Sequence, residues 1–324
     1  MDICIRADGG STIGMGHIVR MLTLANKLKI NNNVFFVCRV DKPLTNKYIP
    51  GINLIKENGF IVKEIEENRL KQDIKFIEAD CIITDSYDID VEYFNIIKEN
   101  FKLSGCLDDE NICSYYNVDF LINQNIYGNE LEYTVNEDTK MFLGSKFVIL
   151  RDEFRTKKKQ KYISKIIKDI MITVGGSDNN NITQKLIDNL KRDKYILHVV
   201  IGSGFNNIEL LKGYECENIK LYMNANMKKL MDLADICISS CGTTIYELAS
   251  CGTPTIGIPI IDNQELLAKT MNKKDLIKVA SIDNINNVIK SLTYEERLKL
   301  SEKCSNLIDG LGVDRLVKEI NNMF

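Results

Sequence analysis

The sequence predicts an α/β protein made of two doubly wound, parallel-sheet domains that face a cleft. Three observations carry this. Apolar runs of strand length alternate with helix-period segments from end to end, a pattern that builds parallel sheets with helices on both faces. A basic, polar stretch at Arg151–Lys168 interrupts the alternation near its middle. The same pattern then restarts, and 324 residues are enough for about two domains of ordinary size. The expected boundaries are 1–150 for the first domain, 151–168 for an exposed linker and 169–310 for the second domain. A closing helix follows over 311–324.

In the first half the expected strands are Ile3–Arg6, Val34–Cys38, Phe60–Val62, Cys81–Thr84, Leu103–Leu107 and Phe120–Ile122. A helix over Gly16–Ile30 follows the first strand, because Ile18, Met21, Leu22, Ala25 and Leu28 recur at helical spacing. Further helices are expected at Leu54–Asn58, Leu70–Ile77 and Val91–Asn100. The second half yields strands at Asp169–Val174, Leu197–Ile201, Ile219–Met223, Ile236–Ser239 and Thr255–Ile258. Its helices are Thr183–Leu190, Lys228–Asp232, Thr244–Ser250, Gln264–Met271, Tyr294–Ile308 and Val313–Asn321.

Composition excludes several classes. A formal charge of −3 argues against a nucleic-acid binder, which is usually strongly basic. No apolar run approaches the roughly 20 residues of a membrane helix, and Asp2, Arg6 and Asp8 break the first strand against a signal peptide. Ten cysteines are scattered without a Cys-x-x-Cys pair, several inside strands (Cys4, Cys38, Cys81, Cys237). They read as reduced thiols of a cytoplasmic protein. With two histidines, no metal site and no cofactor is expected. A monomer is expected.

Ligands of open α/β sheets bind beyond the carboxyl ends of strands, near helix N-termini, so the loops there are the candidates. Between the first strand and helix runs Asp8-Gly9-Gly10-Ser11-Thr12-Ile13-Gly14-Met15-Gly16-His17. Glycines let main chain approach a ligand closely, and a neutral imidazole at such a place suits a general base. The alternative is a tight turn with a capping histidine. A dinucleotide fingerprint is disfavoured, because Val19 stands where a third glycine belongs. Gly175-Gly176-Ser177-Asp178 can offer free amides to a phosphate, or form an ordinary turn with Ser or Asp as cap. In Cys241-Gly242-Thr243-Thr244-Ile245-Tyr246-Glu247, Glu247 can accept both hydroxyls of a ribose while the preceding residues hold phosphates; capping and a solvated Glu247 are the alternatives. Asp262-Asn263-Gln264 suits hydroxyl or amide recognition on a sugar. Thr84-Asp85-Ser86-Tyr87, Asp108-Asp109 and Asn123-Gln124-Asn125 are lesser candidates at strand ends. Asp88-Ile89-Asp90 is set aside as a chance acidic pair, and His198 as a core histidine.

Arg6-Ala7-Asp8 followed by Ile13-Gly14-Met15-Gly16-His17-Ile18-Val19-Arg20 resembles the N-terminal signature of the pseudaminic acid pathway UDP-sugar hydrolases and the related spore coat polysaccharide biosynthesis proteins. The likeness continues through Thr84–Tyr87, Leu143-Gly144, Leu150–Phe154, Gly175–Asp178 and Cys241–Glu247. Its later loops are shared with the wider GT-B glycosyltransferases. The resemblance implies a GT-B fold of two Rossmann-like domains, with UDP held mainly by the second. It implies that Met223–Met227, with Asn224 and Met227, contacts uracil and that Glu247 binds ribose. Gly175, Gly176, Ser177, Cys241, Gly242, Thr243 and Thr244 would take the diphosphate, Asn263 and Gln264 the sugar, and the last helix would pack on the first domain. His17 would activate water. One departure is Ser86, where the family's Asp-His-Tyr loop has histidine.

The expected reaction is hydrolysis of a UDP-linked diacetamido-trideoxy sugar by inverting attack of water at the anomeric carbon. Asp8 or Asp85 would orient the imidazole or the sugar. Gly14, Gly16, Arg20 and Tyr87 would line the substrate, with Arg20 equally suited to a salt bridge. A GT-B transferase using a UDP-amino sugar, and a non-catalytic nucleotide-sugar binder, are the competing readings.

Overall fold

The computed structural model describes residues 1–155 and 160–324. They divide into two units, Met1–Arg151 with Leu311–Phe324, and Asp152–Gly310. Of the expected linker at 151–168, residues 156–159 lie outside the described residues. The remainder is less solvated than a free linker, because Lys161 Nζ donates to the carbonyls of Met231 and Asp232 at 2.8 and 2.7 Å. Arg297 adds two donations, to the carbonyls of Ser164 and Lys165.

The first unit runs β1 (Asp2–Ala7), α1 (Gly16–Leu28), β2 (Asn33–Val40), α2 (Ile49–Glu57), β3 (Val62–Glu66), α3 (Leu70–Asp73), β4 (Cys81–Asp85), α4 (Val91–Asn100), β5 (Leu103–Leu107), β6 (Phe120–Asn123) and β7 (Lys140–Leu143). All seven strands are parallel, in the order β3-β2-β1-β4-β5-β6-β7. The chain moves outward from β1 through β2 and β3, then returns to the other side of β1 as β4. That reversal makes the carboxyl ends of β1 and β4 the switch point at which such sheets open a crevice. Ile3, Ile5 and Ala7 of β1 pack with Ile18, Met21 and Ala25 of α1 on one face. Cys4 enters a second core with Phe94 and Ile97 of α4 on the other.

The second unit runs β8 (Asp169–Thr173), α5 (Ile182–Leu190), β9 (Ile196–Val200), α6 (Ile208–Lys212), β10 (Ile219–Tyr222), α7 (Met227–Leu233), β11 (Ile236–Ser240), α8 (Thr244–Cys251), β12 (Thr255–Ile258), α9 (Glu265–Lys273), β13 (Lys278–Val279), α10 (Ile285–Ser291) and α11 (Tyr294–Leu307). Its parallel order is β10-β9-β8-β11-β12-β13, with the switch point between β8 and β11. The last helix, α12 (Gly312–Asn321), belongs to the first unit. There Val313, Leu316 and Ile320 enter the α1 core, and Asp314 pairs with Lys27 of α1 at 2.6 Å.

Several elements differ from expectation. The strand expected at Phe60–Val62 runs instead over Val62–Glu66, with Phe60 buried just ahead of it. This is an edge strand of sequence VKEIE, and its charges hide it from an apolar count. β7, β13, α6 and α10 were not anticipated. The expected Leu70–Ile77 helix is one turn, α3, followed by a 3₁₀ turn at Ile74–Phe76.

Candidate functional site

The His17 loop owes its shape to contacts within the chain. An added Cβ on Gly10 would stand 1.9 Å from the carbonyl oxygen of Lys47, and one on Gly51 would stand 2.4 Å from that of Gly9. Gly9 and Gly10 therefore admit the neighbouring segment 46–51, to which Ser11 N–H also donates at 2.9 Å. Gly10 and Gly14 then exchange two main-chain hydrogen bonds, and Gly14 takes φ +82°. Gly14 and Gly16 have open space where a Cβ would point. No side chain caps α1, and His17 follows in its first turn.

Around His17 stands a buried charged network. Asp85, the last residue of β4, accepts from His17 Nδ1 on Oδ1 at 2.7 Å. It also accepts from Arg20 through Nη2 on Oδ1 and Nε on Oδ2, both at 2.6 Å. The remaining arm of Arg20, Nη1, reaches Asp109 Oδ2 at 2.6 Å. Asp109 in turn accepts from Asn125 Nδ2 at 2.7 Å and from the Tyr87 hydroxyl at 3.1 Å. The Tyr87 ring stands edge-on to the imidazole, 4.8 Å between centroids. Burial pushes the Asp85 carboxyl up, but the charge of Arg20 and the hydrogen bonds from Arg20 and His17 outweigh it and hold it well below the usual carboxylate range. For Arg20 burial opposes the charge, and Asp109 and Asp85 more than offset that.

Nδ1 lies 2.7 Å from the Asp85 carboxylate oxygen and 3.1 Å from Arg20 Nη2, which already donates to Asp85 at 2.6 Å; the shorter contact to an anion assigns the ring proton to Nδ1. Nε2 then carries the lone pair and has no hydrogen-bond partner among the described residues. The side chain is 10% exposed. A neutral imidazole so held can take a proton on Nε2, and the Asp85 carboxylate stabilises the cation that forms.

The structure separates the other expected residues. Asp8 does not meet His17. It lies in a second cluster, accepting from Arg6 at 2.7 Å and from the Arg39 side chain and main chain at 2.8 Å. Its place follows from alternation along β1, which puts Asp8 with Cys4 and Arg6 opposite the α1 face. Asp88 accepts from Arg39, and Asp90 caps α4 while pairing with Lys71. No group of acidic, histidine or cysteine side chains suited to a metal occurs among the described residues. His198 is bound at both ring nitrogens, by Tyr222 and Asp169. Asp109 and Asn125, singled out only as strand-end residues, turn out to be members of the His17 network. The strand-end rule that found the other loops was their signal.

In the second unit the glycine loops end β8 and β11. Gly175 takes φ +101°, and an added Cβ on Gly202 would lie 2.5 Å from the carbonyl oxygens of Gly175 and Gly176. Gly176 is exposed and Ser177 partly so. Asp178 satisfies the first turn of α5, accepting from Ile182 and Thr183 N–H at 2.7 and 2.8 Å, while Asn181 stands at the N-cap position. After β11, Cys241 is buried and Gly242, Thr244 and Glu247 are half-buried, while Thr243 is exposed. Gln264 crosses to this loop. Its Oε1 accepts from the main chain of Cys241 at 3.2 Å and of Ile260 at 3.1 Å, which turns Nε2 toward Gly242. Asn263 and Asn224 are exposed, and Met227 begins α7, capped by Asn226.

Over its full length the chain is 32% identical to the uncharacterized protein MJ1062 of Methanocaldococcus jannaschii, covering 67% of that protein. The chain belongs to the family of MJ1062. Within this MJ1062-family chain, residues 169–306 match the glycosyltransferase family 28 C-terminal domain. It is 25% identical to the spore coat polysaccharide biosynthesis protein SpsG of Bacillus subtilis, over all of this chain and 99% of that one. It is 27% identical to the UDP-2,4-diacetamido-2,4,6-trideoxy-β-L-altropyranose hydrolase of Campylobacter jejuni, over 85% of this chain and 97% of that one. Acinetobacter baumannii MurG has the same fold, with a TM-score of 0.69 at 13% identity over 99% of both chains. The architecture is thus the GT-B fold, two Rossmann-like α/β domains. No helix among the described residues of this family member is long and apolar enough to cross a membrane.

Proposed function

We propose that this protein hydrolyses a UDP-linked 2,4-diacetamido-2,4,6-trideoxy sugar of the altropyranose type to UDP and the free sugar, a step of nonulosonic acid biosynthesis. The observation that carries the reading is the His17–Asp85 pair with an unengaged Nε2. The Campylobacter hydrolase, a relative along most of the chain, supports the substrate class. In this reaction water attacks the anomeric carbon and its oxygen bonds to C1. The proton it loses goes to His17 Nε2, and the bond from C1 to the phosphate oxygen breaks with its electron pair leaving on UDP. The configuration at C1 inverts. UDP needs little acid assistance, since the second ionisation of a phosphate lies near roughly pH 6. Main-chain amides at Gly175–Ser177 and Gly242–Thr244 stabilise the charge that grows on the diphosphate. Glu247 takes the ribose hydroxyls, Asn224 and Met227 border the uracil, and Asn263 and Gln264 serve the sugar. Tyr87, Gly14 and Gly16 line the sugar beside His17, and a general base of this kind contributes roughly 10²–10⁴-fold.

Hydrolysis in oxygen-18 water tests the reading. Label in the released sugar supports attack at carbon, and label in UDP refutes it. His17→Asn should retain UDP binding and lose turnover; full activity would remove His17 from the role. The family 28 match favours a second reading, transfer of the sugar to an acceptor hydroxyl. Release of free sugar in the absence of any acceptor decides between the two.

A further inference from the structure

The His17 network has more negative charge than its arginine can balance. Asp85 and Asp109 each bring one carboxylate, and Arg20 bridges them with three charged hydrogen bonds of 2.6 Å. With His17 neutral, the group carries one net negative charge; with His17 protonated, it carries none. Arg20 is shared between Asp85 and Asp109 and cancels one of their two charges, so removing the Asp109 carboxylate removes the surplus. Asp109 is 8% exposed and is fixed by neutral donors, Asn125 Nδ2 at 2.7 Å and the Tyr87 hydroxyl at 3.1 Å, with Tyr127 donating to its main-chain carbonyl at 3.1 Å. The charged groups nearby do not cancel it. Asp108 is turned away to accept from Tyr116 and from the main chain of Glu110 and Asn111, Glu110 bears a like charge, and Arg6 and Arg39 are bound to Asp8 in the other cluster.

We propose that Asp109 is a positioning residue of this site: through Arg20 it fixes Asp85 against the imidazole, and it adds a second carboxylate charge that, beside Asp85, favours the protonated ring. Arg20 is thereby a strut between two carboxylates, with all three nitrogens of its fork engaged. The proposal rests on His17 as the base, and a readout independent of turnover separates the two. The chain has two histidines, so the ring Cε1–H resonances of the whole protein resolve them, and His17→Gln assigns the pair. In Asp109→Asn the His17 titration midpoint should fall by on the order of one pH unit, the effect of one charge several ångströms away at a dielectric of about 20. Asp109→Ser, which leaves room for a water beside Arg20, should give the same fall if the Asn variant does not fold. Asp109→Glu should restore the wild-type midpoint. The rate of UDP release from the UDP-diacetamido sugar should fall about threefold at its plateau in Asp109→Asn, as a base weaker by about one pH unit with a half-transferred proton requires, with its acid limb moved to lower pH. An unmoved His17 midpoint in a folded neutral variant overturns the proposal, whatever the activity. A moved midpoint with no hydrolysis by the wild type would leave the strut standing and refute the proposed reaction.

Discussion

Replacing Asp85 by Asn probes the site with almost no change in volume. The carboxylate accepts three hydrogen bonds, two on Oδ1 from His17 and Arg20 and one on Oδ2 from Arg20. An amide has one acceptor oxygen, so one of two things must happen. With its oxygen on the Oδ1 side, its NH₂ confronts Arg20 Nε, a donor against a donor. With its NH₂ on that side, His17 Nδ1 must accept, the ring proton moves to Nε2, and the base is lost. The first arrangement keeps the tautomer but removes the charge that stabilises the imidazolium, and the second removes the lone pair. Either way the contribution of the base is forfeited, and kcat should fall by roughly 10²–10⁴. KM should change little, because Asp85 is fully enclosed by His17 and Arg20. Stability should also drop by about 3 kcal/mol, since a buried arginine loses a charged partner. Stopped assays of UDP release, beside urea titrations followed by circular dichroism, measure both. A variant that folds and turns over within threefold of wild type would refute the assignment of Asp85 to the imidazole. A loss of activity confined to KM would refute it equally.

Three further outcomes follow from the geometry. Asp8 and Asp85 are both held below the ordinary carboxylate range, burial being outweighed by Arg6 and Arg39 at Asp8 and by Arg20 and His17 at Asp85. A depressed folded-state value stabilises above the unfolded value near about 3.9, and that contribution is lost as pH falls through the lowered range; the urea midpoint should therefore decline below about pH 5, and a flat midpoint down to pH 3 would contradict it. Gly10→Ala sets its Cβ against main-chain atoms of Lys47 and Asn46, which cannot rotate away, so it should cost about 1–3 kcal/mol and lower turnover by moving the His17 loop; wild-type melting and kcat would show that the contact is not tight. Gly257→Ala meets Cys241 Sγ at 2.6 Å and Ile277 Cδ1 at 2.9 Å, and should raise KM for the nucleotide sugar several-fold by shifting the Gly242 loop. Adding Cys241→Ala should recover much of that loss, and additivity of the two changes in a double-mutant cycle would argue against the coupling.

What could be read in the sequence was whatever a short window contains. Strands β1, β4, β8 and β11 are buried runs with a polar loop at their carboxyl ends, so both switch points and their motifs were visible. Of the four edge strands among the described residues only β10 was legible, because β3 alternates charges with its few apolar residues and β7 and β13 are short. At the site His17 stood out by its glycine loop, but Asp8 and Asp85 were indistinguishable, both being carboxylates at a strand end. Parity separates them: Asp85 continues Cys81 and Ile83 on the α1 face, and Asp8 continues Cys4 and Arg6 on the other. Knowing which face α1 covers requires the fold. The roles of Gly10 and Arg20 were out of reach for the same reason. Gly10 is small because segment 46–51 crosses it, and Arg20 takes its partners from positions 65 and 89 residues away. Local sequence offered Arg20 a phosphate or a salt bridge on equal terms. The sheet removes the choice, because β4 and β5 bring two carboxylates to one guanidinium and leave it no free nitrogen for a ligand.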